Sequence, residues 1–204
     1  MQDLTLFDIK RKEGCNFCEE GKAQIGEKSK YGSVVVLKTG DNPETDWYAT
    51  LQPKTPSNPE TGMNLLLMPL GHLEAFCHIS SSSNLTNNFG KAFAGLSYAM
   101  QCILEKEWNN ENGLYAPSQV VYGKCLTPEN TKPHLHLRLN DFSGDISQAY
   151  PSDTSWSKRT IQDIGSSEEY VKANPVQSRH LSQERFDKIT SKLIQICYTC
   201  HFSA

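Results

Sequence analysis

The chain has 204 residues, of which 37% are hydrophobic, 21% charged and 9% aromatic, and its formal net charge is −3. That length suits one decorated domain or at most two small ones, and the composition excludes a disordered chain. No basic block stands out, which excludes a general nucleic-acid binder, and no apolar run reaches the length of a signal peptide or a membrane span. The expectation is a soluble cytoplasmic protein with reduced thiols, so the 7 cysteines read as free thiols, metal ligands or core residues.

Residues 1–14 read as a flexible polar arm. The segment "CNFCEE" (Cys15 to Glu20) opens the structured part. "SVVVLKT" and "WYATLQP" read as two strands joined by the turn cluster "GDNPETD". "KTPSNPETG" reads as a Pro-rich loop. "MNLLLMPLGH" follows as a strand whose continuous apolar run predicts burial on both faces. A serine run before Leu85 suits a helix cap. Phe89, Phe93, Leu96, Met100, Ile103 and Leu104 then recur at helical spacing, which predicts one amphipathic helix over 86–108. "SQVVYGKC" and "HLHLRL" read as two more strands. The five strands are expected near 34–38, 47–52, 64–69, 119–123 and 134–139. Residues 143–160 read as irregular, 159–176 as a hairpin around Gly165, and the end as a helix capped by Ser182 and carrying Phe186, Ile189, Leu193 and Ile196. The order predicts an α+β fold with an antiparallel sheet and one main helix packed on it, extended by a C-terminal hairpin and helix.

Three stretches carry chemistry. Cys15 and Cys18 form Cys-x-x-Cys, which is half of a tetrahedral zinc site, a redox pair, or two buried thiols. His72 ends the apolar strand, where a histidine is commonly a surface or capping residue. In "TKPHLHLRLND", His134, His136 and Arg138 occupy one register and Leu135, Leu137 and Leu139 the other. Strand alternation sends the leucines to a core and aligns the imidazoles and the guanidinium on the opposite face. Imidazole is a competent phosphorus nucleophile near neutral pH, and arginine supplies the fixed charge that phosphate needs. The Thr131 hydroxyl is placed to help hold such an anion.

Near the C-terminus "CYTCH" matches the haem c attachment pattern, which an unexported chain would not use. Cys197 and Cys200 also offer a second metal reading, joined to Cys15 and Cys18. Cys77, Cys102 and Cys125 read as small core residues.

The Cys-x-x-Cys, the strand ending in Pro-Leu-Gly-His, the amphipathic helix and the His-x-His-x-Arg strand together resemble the histidine triad superfamily of nucleotide hydrolases and transferases. The resemblance runs from about Cys15 to Leu139. It departs from the family at Arg138, which stands where the third histidine is usual. The resemblance implies a catalytic domain over 15–142, with 143–204 as an extension packed on it. It implies a covalent nucleotidyl intermediate on His136, with His134 beside it and Arg138 and Thr131 as phosphate contacts. It further implies a structural zinc ion on Cys15, Cys18, His72 and His134, a set of donors that leaves no open position for catalysis. The implied partner is a nucleotide or dinucleoside polyphosphate, and homodimers are common in the family. Because Arg138 has no proton to give, phosphoanhydrides are expected over phosphoramidates. The alternative expectation is a non-catalytic, zinc-stabilised nucleotide-binding or interaction protein in which Arg138 marks lost chemistry.

Overall fold

The computed structural model describes residues 9–108, 118–122, 134–141, 155–160, 169–174 and 178–202. It is an α+β fold built on an antiparallel sheet. Its strands are β1 (Val34–Lys38), β2 (Trp47–Leu51), β4 (Asn64–Pro69), β5 (Ser118–Tyr122) and β6 (His136–Asn140), in spatial order β1-β2-β4-β6-β5. All five fall within a residue or two of their expected places. The His-x-His strand begins at His136 rather than His134, and Leu135 N–H instead donates to Leu73 O at 2.6 Å.

Alternation divides the sheet into two faces. Trp47, Ala49, Leu51, Leu65, Leu67, Leu135, Leu137 and Leu139 belong to the larger core. Val35, Tyr48, Leu66, Met68 and Leu70 form a smaller cluster on the other side. Both faces of β4 are buried along its whole length, as its unbroken apolar run requires. Between Val35 and Leu37 the β1–β2 register shifts. That bulge turns Val36 and Leu37 toward the same, larger core.

The main helix, α2 (Ser83–Trp108), covers the larger core. Ser82 Oγ accepts from Leu85 N–H at 3.3 Å and caps it. Trp47 Nε1–H donates to Leu85 O at 2.9 Å and pins the helix start to β2. Asp46 secures the turn between β1 and β2, accepting from Thr39 Oγ1, Asn42 N–H and Asn88 Nδ2.

The C-terminal helix α3 (Gln183–Phe202) begins at Ser182, whose Oγ accepts from Arg185 N–H at 3.3 Å. Its Phe186, Ile189, Leu193 and Cys197 join the same core beside α2. Three features differ from the sequence expectation. The segment read as a Pro-rich loop contains β3 (Lys54–Thr55), which pairs with β9 (Arg179–His180). Two-residue strands are too short to show a period, and their partner lies far along the chain. Part of the stretch read as irregular is β7 (Ser155–Thr160), which pairs with β8 (Glu169–Asn174) as the expected hairpin. Residues 9–14, read as the end of a polar arm, are docked. Ile9 is buried in the core, and His72 N–H donates to Lys10 O at 2.9 Å. A single apolar residue among charged neighbours carries no periodic signal.

Asp141, just past β6, holds the loop after β3. Its Oδ1 accepts from Ser57 Oγ at 2.5 Å and from Met63 N–H at 2.9 Å. Arg185 clamps the same loop by donating to Gly62 O at 3.1 Å. Burial raises the Asp141 carboxyl above its ordinary range. The folded state therefore binds this proton more tightly than the unfolded chain, and the carboxylate's contribution to stability worsens as pH rises through the carboxylate range. Asp141→Asn keeps the accepting oxygen without the charge. Its stability relative to the native chain should improve as pH is raised from about 4 to 7. Asp141→Ala, which strands a buried N–H and a hydroxyl, should cost roughly 1–3 kcal/mol. Denaturant melts of both variants across pH measure this, and a pH-independent difference for Asp141→Asn would remove the explanation.

Candidate metal centre and its neighbouring strand face

Four side chains from three separate stretches of the sequence meet on the smaller-core side of the sheet. Cys15, Cys18, His72 and His134 offer ligand atoms that all lie within 4.8 Å of one another. Gly14, with φ of 69°, makes the left-handed turn that delivers Cys15 to the start of the short helix α1 (Asn16–Glu20). One helical turn later the chain presents Cys18 beside it. Gly71 lets the strand end pass close to Ile9 and Pro43, where a Cβ would collide with both, and so seats His72.

The distances suit a tetrahedron. Cys15 Sγ lies 3.3 Å from His134 Nδ1, and Cys18 Sγ lies 3.6 Å from the same nitrogen and 3.7 Å from His72 Nδ1. A tetrahedral ion with bonds of about 2.3 Å to sulfur and about 2.0 Å to nitrogen sets the sulfur–nitrogen edges near 3.5 Å. The surrounding groups orient the ligands. His134 Nε2 lies 3.2 Å from Pro69 O. A carbonyl only accepts, so the proton sits on Nε2 and the Nδ1 lone pair points into the cluster. His72 Nε2 faces Glu74 Oε1 at 3.8 Å. A carboxylate behind a histidine raises its basicity as a ligand. Lys12 N–H lies 3.4 Å from Cys18 Sγ and supports charge on that sulfur.

The electrostatics of the thiols favour a cation. Cys15 is held down to about 3, chiefly because the Cys18 thiol donates to it, with His134 also contributing. The same shared proton and burial push Cys18 up. Burial lowers the His72 imidazole and keeps it neutral, as a ligand must be. Buried thiolate and imidazole donors with ordered surroundings fit a borderline-soft divalent metal.

The other metal reading is not realised. Cys197 is buried on α3 in the core on the helix side of the sheet, away from Cys15 and Cys18. The side chains of Cys200 and His201 lie outside the described residues, as do Cys125 and Thr131. Of the cysteines read as core, Cys77 is exposed and Cys102 half-buried.

Next to the cluster, β6 presents His136 and Arg138 on the same face. His136 Nδ1 lies 3.1 Å from His134 O, so this nitrogen carries the proton and the lone pair resides on Nε2. Burial, and then the Arg138 charge, lower the His136 imidazole and hold it neutral. Arg138 stands opposite Leu66 on β4 and Val120 on β5.

Phe17, the second spacer residue of the Cys-x-x-Cys, covers this face. Its ring centroid lies 5.6 Å from that of His134 and 5.1 Å from that of His136. Tyr48 Oη donates to Phe17 O at 2.6 Å and fixes it there. The sequence reading missed Phe17, since nothing in a two-residue spacer tells which residue points inward. It also missed Glu20, the buried last residue of α1, which accepts from Ser33 Oγ and whose carboxyl is raised by burial.

Metal analysis of protein purified without added metal should return about one divalent ion per chain. Cys18→Ser and His134→Ala should lose it and lower the melting temperature, whereas Cys197→Ser should retain it. Metal retained in Cys18→Ser, or lost in Cys197→Ser, would contradict this ligand set.

Comparison with protein-family models, with curated proteins and with solved structures gave no match, so the reading of the site rests on its own geometry.

Proposed function

We propose that the chain is a nucleotide hydrolase or nucleotidyl transferase of the histidine triad type, with zinc as a structural ion on Cys15, Cys18, His72 and His134. The observation that carries this reading is the tautomer of His136. Its Nδ1–H is committed to the His134 carbonyl, which leaves a neutral imidazole with its lone pair on Nε2, beside the guanidinium-bearing residue two places on. A neutral imidazole next to fixed positive charge suits attack on a phosphorus atom.

In this mechanism His136 Nε2 forms a bond to the α-phosphorus of a nucleoside polyphosphate. The phosphorus–oxygen bond to the distal phosphate breaks, and that phosphate leaves with the bonding electrons. Water or another acceptor oxygen then displaces the imidazole. Arg138 neutralises the charge that builds on phosphate oxygens, and Thr131 is assigned to the same anion. Arginine cannot protonate a poor leaving group, so phosphoanhydrides, whose leaving phosphate is already stable, are preferred over phosphoramidates. Zinc supplies no chemistry in this scheme. Bound to His134, it anchors the backbone carbonyl that sets the His136 tautomer. Homodimerisation, common in the resembling family, belongs to this reading.

One observation favours a second reading. His136 is only 4% exposed, and the Phe17 ring lies against it. In a non-catalytic, zinc-stabilised binding protein those contacts would be permanent packing.

A turnover screen separates the two, using dinucleoside polyphosphates, nucleoside phosphoramidates and nucleotide sugars. His136→Ala should abolish turnover and leave nucleotide affinity nearly unchanged, because a nucleophile acts mainly in the transition state. Arg138→Ala should lower kcat by roughly 100-fold or more and weaken binding as well. A nucleotidyl adduct on His136, trapped without acid and read by mass spectrometry, is the expected intermediate. Full turnover in His136→Ala, or an adduct elsewhere, refutes the mechanism. Binding with no turnover on any substrate supports the second reading.

A further inference from the structure

The strand face that carries His136 and Arg138 continues to Asn140. Asn140 stands directly opposite Asn64 on β4 in the same antiparallel register that pairs Arg138 with Leu66. Opposed residues share a face, with their side chains roughly 5 Å apart at Cβ. The two carboxamides therefore follow the nucleophile and the cation along one line. Asn140 lies about 13 Å beyond His136 along the strand, from four steps of about 3.3 Å. That distance is of the order of an extended nucleoside monophosphate.

The pair is buried and under-bonded. Asn140 is 0% exposed and Asn64 5%. Asn64 Nδ2 donates to Lys54 O at 3.1 Å, which fixes its amide orientation because a carbonyl cannot donate. Among the described residues, Asn64 Oδ1 and both Asn140 Oδ1 and Nδ2 have no hydrogen-bond partner. A buried carboxamide with neither atom bonded is rare in folded proteins and calls for an occupant. The surroundings hold the pair in place. Asp141 binds Ser57 and Met63, and Arg185 binds Gly62 O, so the chain on either side of Asn64 and Asn140 is tied down. Just past β2, Gln52 Nε2 donates to Thr50 Oγ1 at 2.7 Å, so that amide already has a partner for one of its protons.

We propose that Asn64 and Asn140 read the nucleobase and select bases whose Watson–Crick edge carries an exocyclic amino group next to a ring-nitrogen acceptor. This rests on the nucleotide reading above and specifies its substrate class as adenine or cytosine nucleotides. The unbonded set consists of one amide donor group and two carbonyl acceptors. Adenine and cytosine present the complement, two amino protons and one ring acceptor. Asn140 makes the bidentate contact, and Asn64 Oδ1 takes the second amino proton. Uracil and guanine put a carbonyl oxygen where the amino group would be. The Asn64 oxygen, whose amide cannot turn without releasing Lys54 O, then faces another acceptor. A site with buried polar groups left unpaired rejects the wrong ligand strongly.

The test is calorimetric titration of the metal-loaded full chain with AMP, CMP, GMP and UMP. AMP and CMP should bind roughly tenfold or more tightly than GMP and UMP. Asn140→Leu should bring AMP and CMP down to the level of UMP, and Asn64→Leu should relax discrimination against GMP and UMP. Asn140→Asp, which keeps the volume but removes the donor, covers the case in which the leucine variant fails to fold. His136→Ala should preserve the base ranking. Four affinities within about threefold in the native chain, together with His136-dependent turnover, overturn the base assignment and leave the enzyme reading intact. The same holds if folded Asn140→Leu keeps the native ranking, since the amides then hold only buried water. Absence of both nucleotide binding and turnover removes the enzyme reading and this assignment with it.

Discussion

The structure depends on one strand being buried on both faces with opposite chemistry on each. β6 lies between β4 and β5, so it has no free edge in the sheet. Leu135, Leu137 and Leu139 enter the large core under α2 and α3. His136, Arg138 and Asn140 take the other face, and His134 extends that row toward the thiols. A slip of one residue would exchange the two sets. It would bury a guanidinium in an apolar core and turn leucines toward the cysteines. The difference between those two arrangements sets the register of the strand, and with it the position of every candidate functional group.

The second face has a thin apolar layer. Its cluster of five buried residues is small beside the helix-side core, and its outer cover is Phe17 and Ala23 from the α1 region. The Cys-Cys-His-His cluster compensates by joining α1, the end of β4 and the start of β6. A cation there converts converging donors, which otherwise share protons, into bonds that cross the structure. Metal affinity then becomes part of folding stability. It also steadies the carbonyl of His134 that orients His136, so the structural and candidate catalytic features meet in one residue.

The C-terminal third serves the same scaffold. α3 adds Phe186, Ile189 and Leu193 to the core that α2 begins, and Arg179 and Arg185 reach back to the backbone of the loop between β3 and β4. That loop carries the residues that border Asn64. A segment outside the family resemblance thus fixes one end of the strand face that the resemblance picks out.

What the sequence determined by itself follows from periodicity and spacing. Alternation of leucine with histidine and arginine assigned both faces of β6. The unbroken run at Leu65–Met68 gave a doubly buried strand, and the repeat from Phe89 to Leu104 gave α2. Serines before Leu85 and Arg185 marked the caps. The four members of the candidate metal cluster were legible through the resemblance, because their residue types stand at the places it requires. Tertiary structure alone decided what has no local signature. The pairing of Lys54–Thr55 with Arg179–His180 joins strands too short to show a pattern. The docking of Ile9 and the cover from Phe17 depend on surfaces built elsewhere in the chain. Asn64 and Asn140 look like ordinary strand-end residues in the sequence. Only the cross-strand register sets them opposite each other, and only their surroundings leave the Asn64 oxygen and the Asn140 amide without a partner among the described residues, because hydrogen-bond satisfaction is a property of three-dimensional surroundings and not of residue order.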